Sequence, residues 1–353
     1  MASDQTSQAA PLSRRQFLKI VAIGGAAVTT GLTLGFRDDP LQRKQAAVVR
    51  ETHLLMNSVV NLTLVSDDLA SAREACDACV REMRRRVDVF NRFDPKSQLS
   101  QLNSEGRLKK PDSLLVDLIS RSGRISEASA GAFDISIKPV LDLYLASQAL
   151  NGGLPCSDDI LSALGKVDYQ KIVYDEDEIG FSLPGMNLTL DGIAKGAVVD
   201  AGVDTLRLRG FDNVMVEAAG DLLAAGERRL QVPWKIGIRP PRDGMDQPLP
   251  ILHIKNRAVA TSGDYLQAFT SDYSINHILD PRRGISSPEL ASATVIAPSA
   301  SLADGLATTI MVLGIQDGLA LLKSFPGCEA YLIDKKMQST CSPGMPAHFA
   351  DIL

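Results

Sequence analysis

No stripe of lysine and arginine runs through this sequence: 37 basic side chains are scattered among 42 acidic ones, for a formal net charge of -5 and a pI near 5.5. Binding a phosphate backbone needs clustered cations, so nucleic acid is not an expected partner. Internal repeats, low-complexity tracts and long linkers are also missing, which excludes a solenoid or a disordered tail. Histidine is scarce, with four in 353 residues, so one in charged company stands out. What remains is a chain with 45% apolar residues, long enough for one large or two ordinary domains with a buried core.

The N-terminus is strongly biased. Ser13-Arg14-Arg15-Gln16-Phe17-Leu18-Lys19 precedes a mild apolar run, Ile20 to Phe36, which falls short of the roughly 20 strongly apolar residues of a spanning helix. This is the layout of a twin-arginine export signal. Residues 1-45 are therefore expected to be the signal and a connector, and residues 46-353 a folded domain in the periplasm, with folding under way near Glu51. No good Ala-x-Ala cleavage site and no cysteine placed to accept a lipid follow the run, so a cleaved signal and a retained inner-membrane tether both stay open.

The five cysteines are an odd number for an exported chain. Cys76 and Cys79 form a C-x-x-C, but Leu69, Ala72, Cys76, Val80, Met83 and Val87 recur at helical spacing. Both thiols then belong to the apolar stripe of a helix capped by Asp67 or Asp68 and running to about Phe90. The pattern predicts a strand from His53 to Val65, helices over Leu114 to Ala130, Gly192 to Arg209 and Ser301 to Leu313, and strands at Val214 to Ala218, Trp234 to Ile238, Ala258 to Thr261 and Ala293 to Ala297. Helices and strands interleave throughout, which predicts a mixed α and β architecture.

Several stretches carry chemistry. Phe93 to Asn103 is polar and turn-rich, either an ordinary loop or a ligand edge with an aromatic ring and hydroxyls. Gly131-Ala132-Phe133-Asp134 follows a helix, where glycine lets backbone approach a ligand and the carboxylate can accept a hydrogen bond. Leu190-Asp191-Gly192-Ile193-Ala194-Lys195-Gly196 stands at a helix start, whose free N-H groups and lysine suit a pyrophosphate, although it is no Walker sequence. Thr261-Ser262-Gly263 offers hydroxyls and amides after a short strand. Asn276-His277 to Gly284 places an imidazole, a carboxylate and two guanidiniums within a short segment that contains Pro281. Asp304 and Thr308, four apart on one helix face, are either a hard-oxygen magnesium site or a dipole-complementing acid beside a packed threonine.

In this order the stretches resemble the ApbE family of FAD:protein FMN transferases from Glu51 onward. Met56-Asn57-Ser58 is similar to its Met-Gly-Thr start, Ser97 to Asn103 to its Ser-x-Leu-Ser-x-Leu-Asn loop, and Gly131 to Asp134 to Gly-x-Phe-Asp. Gly192 to Gly196 matches Gly-Ile-Ala-Lys-Gly, Ala260 to Tyr265 matches Ala-Thr-Ser-Gly-Asp-Tyr, His277 to Gly284 matches His-x-x-Asp-Pro-x-x-Gly, and Ala303 to Thr308 matches Ala-Asp-x-x-Ala-Thr. The resemblance implies a T-shaped α/β fold with FAD in a central cleft and magnesium on its pyrophosphate. It implies that Met56, Phe93, Ala132, Phe133, Asp134, Asp191 and Lys195 line the nucleotide, that Thr261 and Ser262 sit near the phosphates, and that Asp304, Thr308 and the Gly192 carbonyl hold the metal. It places His277 at the reacting phosphate, as base or as phosphate contact. The implied reaction moves FMN from FAD to a threonine or serine hydroxyl of an acceptor flavoprotein and releases AMP; an FAD pyrophosphatase and an FAD carrier for redox-complex maturation are the alternatives. The chain departs from the family at Thr189-Leu190-Asp191-Gly192, where the acidic residue has moved by two places, at Ala219-Gly220-Asp221, where one of two glycines is lost, and at Phe93, often a tyrosine.

Overall fold

Strands β1 (Ala47–Leu55) and β2 (Ser58–Ser66) form an antiparallel hairpin with Leu55 opposite Ser58 in this computed structural model, which describes residues 47-228, 231-244 and 249-350. The export signal expected over residues 1-45 lies outside the described residues. The single strand expected from His53 to Val65 is in fact this pair, and β1 begins ahead of Glu51. Met56 and Asn57 both adopt left-handed backbone, with φ of 53° and 55°, as the two-residue turn of a hairpin requires. Methionine is a poor sequence signal for that conformation, so the β-rich pattern runs straight through it.

Helix α1 (Leu69–Phe90) starts where Asp68 accepts from the N-H groups of Ala70 and Ser71 at 3.0 and 3.1 Å. Its stripe buries Cys76 and Cys79 completely, and burial pushes both thiols up to about 12, so they are inert core residues. The polar stretch after Phe93 is not a plain loop. Ser97 caps a short helix, α2 (Gln98–Glu105), whose Asn103 side chain bonds both the N-H and the C=O of Leu188, at 2.6 and 2.8 Å. Then come β3 (Arg107–Lys109), α3 (Ser113–Ala128), α4 (Lys138–Asn151), α5 (Ser157–Leu164), β4 (Ile172–Tyr174) and β5 (Glu178–Phe181). Helix α3 ends two residues earlier than expected, because Ala130 and Gly131 both turn left-handed after it.

Helix α6 (Ala194–Leu208) leads to β6 (Val214–Ala218), β7 (Asp221–Ala225), β8 (Trp234–Gly237), β9 (Ile251–Ile254), β10 (Arg257–Gly263) and β11 (Leu290–Ala297). Helix α7 (Ala300–Leu321) is longer than the expected segment to Leu313. Gly314 breaks its φ/ψ (80°, -170°), and the Glu289 carboxylate accepts from the Ile315 N-H at 3.2 Å, so the chain resumes its turn beyond the break. Strands β12 (Glu329–Asp334) and β13 (Ser339–Cys341) finish a sheet of order β1-β2-β6-β7-β10-β11-β12-β13. Every neighbouring pair in it is antiparallel, so the interleaved helices do not signal parallel crossovers here.

One face of the sheet, through Leu62, Val216, Ala260 and Val295, packs on α1, α6 and α7, while Leu222, Val259, Ile296 and Ile333 on the other pack on the β8–β9 pair. Each fully buried aliphatic side chain contributes about 1.5–3 kcal/mol. Helix α7 is long and apolar enough to cross a membrane by composition alone, yet it is buried against the sheet and α6 as the central core helix. The consequence for function is local. The ends of β7 and β10, the start of α6 and the first turns of α7 meet at one edge of the core.

Candidate functional site

Two contacts fix that meeting. A Cβ at Gly196 would lie 2.2 Å from the Ala300 carbonyl oxygen, so only glycine lets α6 approach the start of α7 this closely. Four residues on, the Asp200 carboxylate accepts from the Ala300 and Ser301 N-H groups at 2.6 and 2.9 Å, capping α7 from its neighbour. Lys195 and Asp304, one on each helix, are thereby set side by side.

The Lys195 ammonium lies between two buried carboxylates, in a close ion pair with Asp221 at the head of β7 and 3.2 Å from Asp304 Oδ1. Asp304 Oδ2 accepts from the Gly196 N-H at 3.1 Å, so this acid serves the start of α6 rather than its own helix dipole. Burial pushes the Asp304 carboxyl up to about 7, with Lys195 opposing and Asp221 adding to the rise. Burial likewise raises Asp221, against the pull of Lys195 and of the Thr261 N-H. For Lys195, burial disfavours the charge, but the two carboxylates outweigh it and raise its pKa. Two buried acids share one cation, which itself reaches the cleft. Such a site favours a further positive charge.

Around this centre lies a cleft lined by Ala132, Phe133 and Asp134, by Asp191, Gly192 and Lys195, by Thr261 and Ser262, by His277, and by Asp304 and Thr308. Eleven of the thirteen residues that the sequence nominates are thus gathered here. Thr308 Oγ1 lies 3.1 Å from Ser262 Oγ, and a Cβ at Gly192 would come within 3.2 Å of it. Asp304, the two hydroxyls and nearby backbone carbonyls make an all-oxygen donor set. Among the described residues no group of three or more His, Cys, Asp and Glu could hold a metal alone. The set fits a hard divalent cation whose shell a ligand's own oxygens complete.

The Gln267 carbonyl accepts from the His277 N-H at 2.9 Å and lies 3.2 Å from His277 Nδ1. A carbonyl can only accept, so Nδ1 carries the proton and Nε2 keeps its lone pair. Burial lowers the pKa of this imidazole, and the hydrogen bond to Gln267 partly offsets the fall. The shift favours the neutral ring.

The remaining nominated residues are placed differently. Asp134 lines the cleft, but its Oδ1 accepts from Ser136 N and Oγ and its Oδ2 from Tyr169 N, so both oxygens already hold local backbone. Thr261 points its hydroxyl at Thr294, 2.9 Å away. Met56 sits in the β1–β2 turn, packed on the main core, and does not line the cleft. Phe93 is 70% exposed outside it, beneath the guanidinium of Arg92 at 4.1 Å from the ring centroid. Arg92 itself lines the cleft and binds Asp191 at 2.8 Å. Neither Arg92 nor Asp221 was singled out by sequence reasoning as a site residue. For Asp221 the signal was its place after Gly220; for Arg92 only its neighbour Phe93 pointed the way.

Known proteins are similar to this chain in sequence and in fold. The FAD:protein FMN transferase of Vibrio cholerae is 26% identical over 260 residues, 73% of this chain and 78% of that protein. The flavinyl transferase ApbE of Pseudomonas stutzeri, solved in apo form, superposes with a TM-score of 0.76 at 26% identity, over 88% of this chain and 100% of that one. The ApbE protein of Thermotoga maritima gives 0.78 at 26% identity, over 86% and 100%. The sequence profile of the ApbE family matches residues 56–332, most of the chain and all of the cleft, and the chain therefore belongs to the ApbE family.

Proposed function

We propose that this chain is an FAD:protein FMN transferase, which moves the FMN half of FAD to a threonine or serine hydroxyl of an acceptor flavoprotein and releases AMP. The observation that carries the reading is the buried pair of carboxylates around Lys195, with Thr308 and Ser262 beside them and an imidazole of lowered pKa on the same cleft. Asp304, Thr308 and the Gly192 carbonyl would hold a magnesium ion, which would neutralise charge building on the phosphate oxygens as the phosphoanhydride breaks. Phe133 and Ala132 supply an apolar wall, whereas N-H groups expected to be free at the start of α6 are already taken, that of Ala194 by the Leu190 carbonyl at 2.8 Å and that of Gly196 by Asp304 at 3.1 Å.

His277 is suited to be the base. With Nδ1 donating to Gln267, Nε2 accepts the proton of the acceptor hydroxyl while that oxygen forms its bond to the FMN-side phosphorus. The bond to the AMP-side bridging oxygen breaks, and AMP leaves with the electron pair. The lowered pKa supports this role over that of a cationic phosphate contact.

The twin-arginine layout of Arg14 and Arg15 supports export to the periplasm, with residues 46-353 as the transferase domain and the apolar run available as a tether. The test of function incubates the protein with FAD, magnesium and a candidate acceptor. Flavin bound covalently to the acceptor supports transfer. Free FMN with AMP makes the protein a pyrophosphatase, and unaltered FAD makes it a carrier.

A further inference from the structure

His277 takes its orientation from one carbonyl, that of Gln267, and Gln267 is an exposed residue on a segment that leaves β10 at Asp264 and returns at Asn276. Something must keep that segment from drifting. Within it, Phe269 and Thr270 donate to the Ile275 carbonyl at 2.8 and 3.3 Å, which folds it back on itself, and its middle rests on α4, where the Phe269 ring stacks on Tyr144 with centroids 5.3 Å apart and the Phe269 carbonyl accepts from Gln148 Nε2 at 3.1 Å.

A second anchor, at the root and tip of the segment, is a cluster outside the cleft. Asp264, wholly buried, takes a two-pronged bond from Arg242, Nη1 to Oδ1 at 2.7 Å and Nη2 to Oδ2 at 2.8 Å. Lys335, in the β12–β13 turn, donates to Asp264 Oδ2 at 2.6 Å. Both cations also reach the far end of the segment. Lys335 donates to the Tyr273 carbonyl at 2.7 Å, and the Arg242 guanidinium lies over the Tyr273 ring at 4.0 Å from its centroid. The root and the tip of the segment are thus tied by the same two side chains, which come from two other parts of the chain. Charge-assisted, bidentate bonds to a buried carboxylate are among the stronger single contacts a protein makes.

We infer that Arg242 and Lys335 are positioning residues for the transfer reaction: by holding Asp264 and Tyr273 together they fix the Gln267 carbonyl and, through it, the tautomer and aim of His277. The inference rests on the proposed transferase reading for its catalytic consequence, but not for its structural one. A base must lie within hydrogen-bond reach of the proton it removes, and a displacement near 1 Å costs about 100-fold in rate.

Arg242→Leu removes both the fork and the ring contact while substituting none of the residues that line the cleft. The first readout is transfer at saturating FAD beside FAD affinity. Transfer should fall about tenfold or more, with the dissociation constant for FAD within about threefold of wild type. The second is the nuclear magnetic resonance of the His277 ring nitrogens in protein carrying isotope-labelled histidine, identified among four histidines by its loss in His277→Gln. Wild type should show a fixed Nδ1-H tautomer, and Arg242→Leu should lose it. Arg242→Lys, which keeps charge against Asp264 without the fork, should fall between the two, and Lys335→Met should repeat the Arg242→Leu pattern more weakly. An unchanged tautomer in Arg242→Leu overturns the inference, as does a loss of transfer matched by an equal loss of FAD affinity. A wild type that transfers no FMN to any acceptor removes the transferase reading, and the ring-nitrogen signal then still decides the clamp.

Discussion

Replacing Asp304 by Asn tests the metal site with the smallest change in shape. The carboxylate now accepts from Lys195 Nζ at Oδ1 and from the Gly196 N-H at Oδ2. Asn keeps one acceptor and presents an N-H₂ where the other stood, so one of these donors loses its partner at a cost of about 1–3 kcal/mol. Against that, the substitution removes a buried acid that burial already pushes up to about 7, and Lys195 keeps Asp221. The two effects oppose each other, and the melting temperature should move by only a few degrees. The activity should not be so tolerant. Neutralising a phosphoryl transition state by a divalent ion supplies several kcal/mol, and each 1.4 or so is about tenfold in rate, so transfer should fall about 100- to 10,000-fold. Excess magnesium should recover part of the loss. The assay is FMN transfer by wild type and variant across a magnesium titration, beside a thermal melt. A folded Asp304→Asn protein with wild-type activity refutes the site, and so does a wild type indifferent to a chelator.

Three further outcomes are expected. Because burial lowers the His277 pKa below its usual 6.5, the acid limb from His277 should lie below about pH 6.5 when magnesium is saturating, so that metal holds ionised the Asp304 carboxyl that burial otherwise pushes up to about 7; an acid limb centred above 7 under those conditions counts against His277 as base, and His277→Gln should cost about 100- to 10,000-fold. Gly196→Ala forces a Cβ to 2.2 Å from the Ala300 carbonyl oxygen, which should destabilise the domain by about 1–3 kcal/mol in denaturant unfolding, and a neutral result shows that the α6–α7 approach is looser than described. Changing Arg14 and Arg15 together to Lys should retain the protein in the cytoplasm, and normal periplasmic levels of the variant exclude the twin-arginine route.

The parts of the site that were legible in the sequence are those where the chemistry is local. Asp304 and Thr308 share a helix face by their spacing, and Gly192 to Gly196 announce a close approach by their glycines. What escaped depends on contacts between distant segments. Asp221 becomes a site residue only because β7 delivers it beside α6, and Arg92 only because Asp191 comes within 2.8 Å of it. Gly196 fits its slot because Ala300, more than a hundred positions away, faces it. The fold follows the same rule. Helix α1 was readable from its apolar stripe and its Asp68 cap, whereas the β1–β2 turn hid behind Met56, and the all-antiparallel order of the main sheet is set by pairings that interleaved helices do not reveal. The extension of α7 past Gly314 needed Glu289, again from elsewhere in the chain.

The central claim is that this cleft breaks FAD at its pyrophosphate and gives the FMN half to protein. The most direct measurement counts products from wild-type protein, FAD, magnesium and an acceptor: AMP in solution, FMN in solution, and flavin that stays on the acceptor after denaturation. The account predicts one AMP for each covalently bound flavin, little free FMN, and no reaction once a chelator is added. Free FMN equal to the AMP released, with no flavin on the acceptor, would contradict it.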